Sequence, residues 1–184
     1  MTYPPPSAVP EPLARLIIFG AGHVGTDLAN LAADVGYAVI IVDARSEWID
    51  ESRFRSTVTA LDMEPETFVR QHTIEADDYV VVMTHSHPLD DVLIRHLIPL
   101  DLPFLGMIGS RGKWARFRKR YEARGLDMSL VDQVVCPVGL DIGGQTPMEI
   151  AISVCAQLTQ LARQGPKWSN DAANPSKVIG QNTV

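Results

Sequence analysis

A short apolar run, Leu16-Ile17-Ile18-Phe19, passes directly into Gly20-Ala21-Gly22-His23-Val24-Gly25, and a second run, Val39-Ile40-Ile41-Val42, closes on Asp43. This is a buried strand, a glycine turn, the start of a helix, and a second buried strand ending on an acid. That order is the dinucleotide fingerprint in its full context. Gly20 permits the tight turn, Gly22 leaves room for a pyrophosphate, and Gly25 lets the helix pack on the strand. The helix N-terminus offers free N–H groups and a partial positive charge to a phosphate. Asp43 stands where a carboxylate can accept from two ribose hydroxyls. The expectation is an α/β, Rossmann-like doubly wound fold, its mainly parallel sheet covered by helices on both faces.

At 184 residues the chain is long enough for one domain with a real core. Its net charge of −6 argues against nucleic acid or an anionic membrane as partner. Cys136 and Cys155 lack CxxC or CxxH neighbours, so neither a disulfide framework nor a zinc site is expected. No apolar run approaches the ~20 residues that span a bilayer, and no signal peptide precedes the first strand. A cytoplasmic setting is expected.

Five prolines between Pro4 and Pro12 mark residues 1–13 as a linker, 14–164 form the Rossmann-like domain, and 165–184 read as a disordered tail. Between the ends, strands are expected at about 15–19, 38–42, 57–60, 79–83, 104–108 and 134–138. Helices are expected at about 23–35, 65–71, 88–98 and 111–124, and from Thr146 onward. In the first helix Leu28, Leu31, Ala32 and Val35 face inward, and Gly36 is the stop. Thr146-Pro147-Met148-Glu149 reads as a capping box with proline at the first helical position, followed by an apolar stripe of Ile150, Val154, Leu158 and Leu161. Met83, Met107 and Met148 read as packing residues, and Cys155 as core.

Ligands of such folds sit at the carboxyl ends of the strands. Four segments fall there: Gly20–Gly25, Thr84-His85-Ser86-His87, Gly109-Ser110-Arg111, and Gly139-Leu140-Asp141-Ile142-Gly143-Gly144. His23 takes a fingerprint position usually held by a small residue, where it either crowds a phosphate or bonds to it. Arg45 stacks on adenine, meets a phosphate, or is merely solvated. His85 and His87 resemble the start of an HxHxDH zinc motif, but Leu89 and Asp91 break its spacing. They are the candidate catalytic residues, as acid, base or phosphate partner, or they simply cap the next helix. Ser110 reads as an N-cap, and Arg111 either grips an anion or pairs with Asp141. Seven of the 16 basic residues fall between Arg111 and Arg124, opposed only by Glu122. Such a helix docks an acidic partner or is a solvated face.

The stretches GAGHVG, VDAR with Glu47-Trp48 and Arg53-Phe54, MTHSHPLD, GMIGSRGKWARF and PVGLDIGGQTPMEIAISV together resemble the Rossmann domain of the xanthine dehydrogenase accessory (XdhC/CoxI) family. The resemblance implies a maturation factor for a molybdenum hydroxylase of the xanthine or carbon monoxide dehydrogenase type. Such a factor is a binding protein more than a catalyst. It would hold the molybdenum cofactor, as molybdopterin or its dinucleotide form, or else NAD(P), and assist sulfuration or insertion. The cofactor-binding set is then Gly20, Gly22, His23, Gly25, Asp43, Arg45, Thr84, His85, Ser110, Arg111 and Asp141. Cys136 is either a persulfide carrier or a buried structural thiol. Partners would be the client hydroxylase, a separate N-terminal accessory protein or a sulfurtransferase, and a second copy in a homodimer. Full-length relatives carry a preceding domain with a CGG-type motif that is missing here, so a stand-alone or split subunit, or a divergent relative, is expected. The alternatives are an NAD(P)-dependent oxidoreductase using His85 or His87, and a nucleotide-sensing regulatory module.

Overall fold

The computed structural model describes residues 12–164, so the linker expectation over 1–11 and the tail expectation over 165–184 lie outside the described residues. The elements run β1 (Arg15–Phe19), α1 (His23–Val35), β2 (Ala38–Asp43), β3 (Val58–Asp62), α2 (Pro65–Gln71), β4 (Tyr79–Val82), α3 (His87–Leu97), β5 (Phe104–Met107), α4 (Arg111–Ala123), α5 (Met128–Val131) and α6 (Pro147–Gln164). Single 3-10 turns lie at Ser46–Trp48, Glu51–Arg53 and Ile98–Leu100. The five strands form one sheet in the order β3-β2-β1-β4-β5, and every neighbouring pair is parallel.

Central β1 is apolar because both its faces are covered. Leu16, Ile17, Ile18 and Phe19 are all fully buried. Leu16 and Ile18 join α1 and α6 in one core, with Leu28, Ala29, Ala32, Val154 and Leu158. Ile17 and Phe19 join α2–α5 in the other, with Phe68, Leu93, Leu97, Phe117 and Tyr121. Helices therefore cover both faces, as expected of a doubly wound sheet. The chain leaves β1 toward β2 and β3, then returns to β4 on the other side. This reversal opens a crevice beyond the carboxyl ends of β1 and β4.

Helix α1 ends where its sequence says it should. Gly36 adopts the left-handed conformation at φ 110°, and its N–H donates to the carbonyls of Ala32 and Ala33. Leu13 enters the fold too, its N–H donating to the Gly36 carbonyl at 3.0 Å.

Three expectations need correction. Residues 134–138 form no sixth strand: only Val135 bridges to Gly106 on β5. Val135 accepts from Met107 N–H and donates to Leu105, but Pro137 has no N–H with which to extend the ladder. Val35 is 41% exposed at the last turn of α1, and Met148 is 44% exposed at the first turn of α6, so neither packs inward as expected. The capping box of α6 is present: Glu149 Oε2 accepts from Thr146 N–H at 2.9 Å, and Thr146 Oγ1 accepts from Glu149 N–H at 3.3 Å.

Candidate functional site

The glycine turn is held by backbone contacts that exclude side chains at two of its positions. A Cβ on Gly20, whose φ is +114°, would lie 2.4 Å from the Met83 carbonyl oxygen. A Cβ on Gly25 would lie 1.9 Å from the Gly20 carbonyl oxygen. Gly22 is different. It has an extended backbone open to any residue, and a Cβ there would meet nothing within 4 Å. Its missing side chain leaves open space in front of α1. Gly22 caps that helix without a side-chain hydrogen bond, and the first turn carries no acid. The leading amides of α1 thus face this space with no acceptor from the helix itself.

Asp43 closes β2 and reaches back to the turn. Its Oδ2 accepts from Ala21 N–H at 2.8 Å and from Arg45 Nη2 at 2.6 Å. Its Oδ1 accepts from the Arg45 amide at 3.1 Å and from Nε at 2.8 Å. Burial pushes this carboxyl up, but the hydrogen bonds from Arg45 and from the Ala21 amide outweigh it and hold it below its ordinary value. Arg45 is therefore neither free nor merely solvated. Its guanidinium lies 4.9 Å from the centre of the Trp48 ring, and that of Arg53 lies 4.7 Å from the same ring. Arg53 Nη1 donates to the Trp48 carbonyl at 2.6 Å and reaches the Ala21 carbonyl at 3.4 Å. Exposed His23 packs edge-on against Trp48, with ring centres 5.1 Å apart.

On the other side of the crevice the ends of β4 and β5 are tied by a buried ion pair. Asp90 is fully buried, and its Oδ2 accepts from Lys113 Nζ at 2.7 Å. Its Oδ1 accepts from the Thr84 amide at 3.2 Å and lies 2.7 Å from the Thr84 hydroxyl. Lys113, 6% exposed, also donates to the Ile108 carbonyl at 3.2 Å. The α-carbon of Thr84 abuts the position a Gly20 Cβ would fill, so this cluster borders the glycine turn directly. His87 is exposed, its Nδ1 3.8 Å from Asp90 Oδ2, beyond hydrogen-bonding reach. His85 is exposed as well. The cap of α3 is Ser86, whose side chain accepts from Leu89 N–H, so the histidines are not the capping residues.

Ser110 caps α4 as expected, its Oγ accepting from Lys113 N–H at 3.1 Å. Arg111 and Asp141 are both exposed and form no ion pair with each other. The loop carrying Asp141 is fastened to α6 instead: Gly139 N–H donates to the buried Gln157 side chain at 2.8 Å. The basic helix is largely paired within the domain. Arg120 and Arg124 reach Asp91, Arg118 reaches Asp132, and Lys113 holds Asp90. Cys136 is half-buried, and desolvation pushes its thiol up to about 12. It is protonated at neutral pH, the opposite of an activated sulfur nucleophile. Among the described residues no three His, Cys, Asp or Glu side chains gather to hold a metal, and no helix is long and apolar enough to cross a membrane.

Of the site residues expected from sequence, Gly20, Gly22, His23, Gly25, Asp43 and Arg45 surround one mouth of the crevice. Thr84 stands at the other, His85 and Asp141 sit on surrounding loops, Ser110 caps α4 and Arg111 is its first residue. Trp48, Arg53, Asp90 and Lys113 were missed. Lys113 had one signal: a cation in the first turn of a helix opposes the macrodipole and needs a compensating partner.

The chain matches the family model of the XdhC Rossmann domain over residues 16–158. It is 34% identical over 154 residues to a Bacillus subtilis (strain 168) protein named as a probable xanthine dehydrogenase subunit, covering 84% of this chain and 44% of that protein. It is 31% identical over 153 residues to the uncharacterized protein YqeB of Escherichia coli (strain K12), covering 83% of this chain and 28% of the relative. A crystal structure of a Bacillus halodurans protein, described as a xanthine dehydrogenase, superposes with a TM-score of 0.74 at 33% identity, over 89% of this chain and 46% of that one. The chain thus spans less than half the length of each of these three proteins. A parallel sheet ordered 3-2-1-4-5, the glycine turn at its switch point and the family match over most of the described residues lead to one conclusion: the chain belongs to the XdhC Rossmann-domain family.

Proposed function

We propose that this domain acts in the maturation of a molybdenum hydroxylase of the xanthine or carbon monoxide dehydrogenase type. It would do so by holding a dinucleotide-containing ligand in the crevice beyond β1 and β4. The observation that carries the reading is the uncapped N-terminus of α1 facing open space at Gly22. A pyrophosphate fits there, because it needs backbone N–H donors, a positive dipole end and the absence of a side chain. The ligand is either the molybdenum cofactor in its dinucleotide form or a nicotinamide nucleotide. Names given to relatives that contain this domain support a hydroxylase client. The half-buried, protonated Cys136 favours a sulfur donor outside this domain, so the domain's part is binding and presentation to the client. A second reading, NAD(P)-dependent oxidoreduction, draws on the Thr84–Asp90–Lys113 cluster at the other lip of the crevice, where a reacting nicotinamide would lie.

Native mass spectrometry of the purified protein, joined to calorimetric titration with NADPH and NADH, tests the binding. A co-purified pterin dinucleotide, or saturable binding of a nicotinamide dinucleotide, is expected. Gly22→Val should remove it while leaving the melting temperature within a few degrees, since a Cβ there has no protein atom within 4 Å. Unchanged binding by that variant, or no dinucleotide bound by the native protein, would overturn the reading.

A further inference from the structure

The acid that ends β2 in this fold ordinarily accepts from both hydroxyls of the adenosine ribose. Asp43 is not free to do so. Four donors already occupy its two oxygens: Ala21 N–H, the Arg45 amide, Arg45 Nε and Arg45 Nη2. The residue is 4% exposed. Its carboxylate is a clamp between the glycine turn and a guanidinium, and a ribose diol could bind it only by displacing Arg45.

What the end of β2 offers instead is cationic. Arg45 keeps 26% of its side chain exposed, and it uses Nε and Nη2 on Asp43 while its Nη1 makes no hydrogen bond among the described residues. Arg53 is fixed beside it against the same Trp48 ring and reaches the Ala21 carbonyl of the glycine turn. Two guanidiniums thus flank the position of the adenosine ribose, against one carboxylate that is already saturated. Glu47, Asp50 and Asp62 are further carboxylates near this end, all exposed to water, where their fields are screened. A phosphate monoester between the arginines would gain charge-assisted hydrogen bonds that a diol cannot.

We propose that the crevice selects a dinucleotide bearing a 2′-phosphate, NADP(H), over one with a free ribose diol, with Arg45 as the principal specificity residue and Arg53 in support. This rests on the dinucleotide reading above and narrows it to one ligand class. A charge-assisted contact of this kind corresponds to about tenfold in affinity.

The test is titration of the native protein with NADPH, NADH, 2′,5′-ADP and 5′-ADP, followed by the same set on Arg45→Ala. NADPH should bind about tenfold tighter than NADH, and 2′,5′-ADP should exceed 5′-ADP by a similar factor. In Arg45→Ala the ratio should fall to about one or invert, because Asp43 is released to accept from the diol. Equal or tighter NADH binding by the native protein overturns the inference and leaves the dinucleotide reading standing. So does a pterin dinucleotide that co-purifies where neither nicotinamide nucleotide binds, and so does a preference that survives in Arg45→Ala. If no dinucleotide of any kind binds, both fall. The native ratios decide the matter even if the variant folds poorly.

Discussion

Asp43 shows how a single side chain can change role without changing place. Its carboxyl titrates below its ordinary value of 3.8. A group depressed in this way stabilises the folded state fully above its unfolded value, and that contribution is lost as pH falls through the folded value. Native protein should therefore lose more stability between about pH 6 and about pH 3 than Asp43→Asn, which has no proton to take up there. Denaturant titrations at the two pH values measure the difference, and equal losses would remove Asp43 from the acid response. At this scale legibility depended on what fixes the residue. Gly20 and Gly25 could be read from the pattern because each is determined by backbone passing within bonding distance, a constraint that local order encodes. Asp43 could be placed but not interpreted, since its partner is a flexible arginine two residues on. Lys113 was hidden among six similar cations, and only the packing of α3 beside α4 singles it out.

Among the elements, α3 and α4 are joined by two different charged contacts, and they should respond differently to mutation. The Asp90–Lys113 pair is buried, so removing one partner leaves an uncompensated charge. Lys113→Met should cost about 3–5 kcal/mol. Asp90→Asn/Lys113→Met leaves no charge and keeps an acceptor for Thr84, so it should recover most of that loss. A double variant no better than the single one would show that the pair itself, and not charge burial, holds the helices together. Asp91, nearly buried on α3, is met by Arg95, Arg120 and Arg124. Arg120→Glu/Arg124→Glu should lower the melting temperature clearly. Arg116→Glu/Lys119→Glu should not, because those two exposed residues make no ion pair among the described residues. Thermal melts of both variants check this. A concentration of positive charge on one helix invites a docking interpretation. Here much of it is answered by α3 and by Asp132, something a one-dimensional pattern cannot display. The expected strand at 134–138 failed for a related reason: Val134, Val135 and Val138 have the propensity, but a ladder needs consecutive donors and Pro137 interrupts them.

Across the whole domain, the two cores share one set of strands, and alternate residues of β1 belong to each. Neither layer can unfold while the other keeps its sheet. Trp48 packs with the α1–α6 core and Trp114 with the α2–α5 core, so the two indoles report on opposite faces. With Trp168 also changed to Phe, fluorescence of Trp48→Phe and of Trp114→Phe should therefore trace the same denaturation midpoint, coincident with far-ultraviolet dichroism. Separate midpoints would mean two cooperative units. Layer order and strand order were legible because period and run length report directly on burial, whereas the charged contacts across the crevice depend on side chains far apart in sequence. The segment alongside β5 has one further consequence. Val135 and Val138 take up the outward-facing hydrogen-bonding groups of Leu105 and Met107, and Pro137 between them has no N–H to donate. A stray strand approaching from that flank meets a closed margin. Sheet-to-sheet aggregation is left to the β3 flank, where the exposed carboxylate of Asp62 repels its own image on a neighbouring copy.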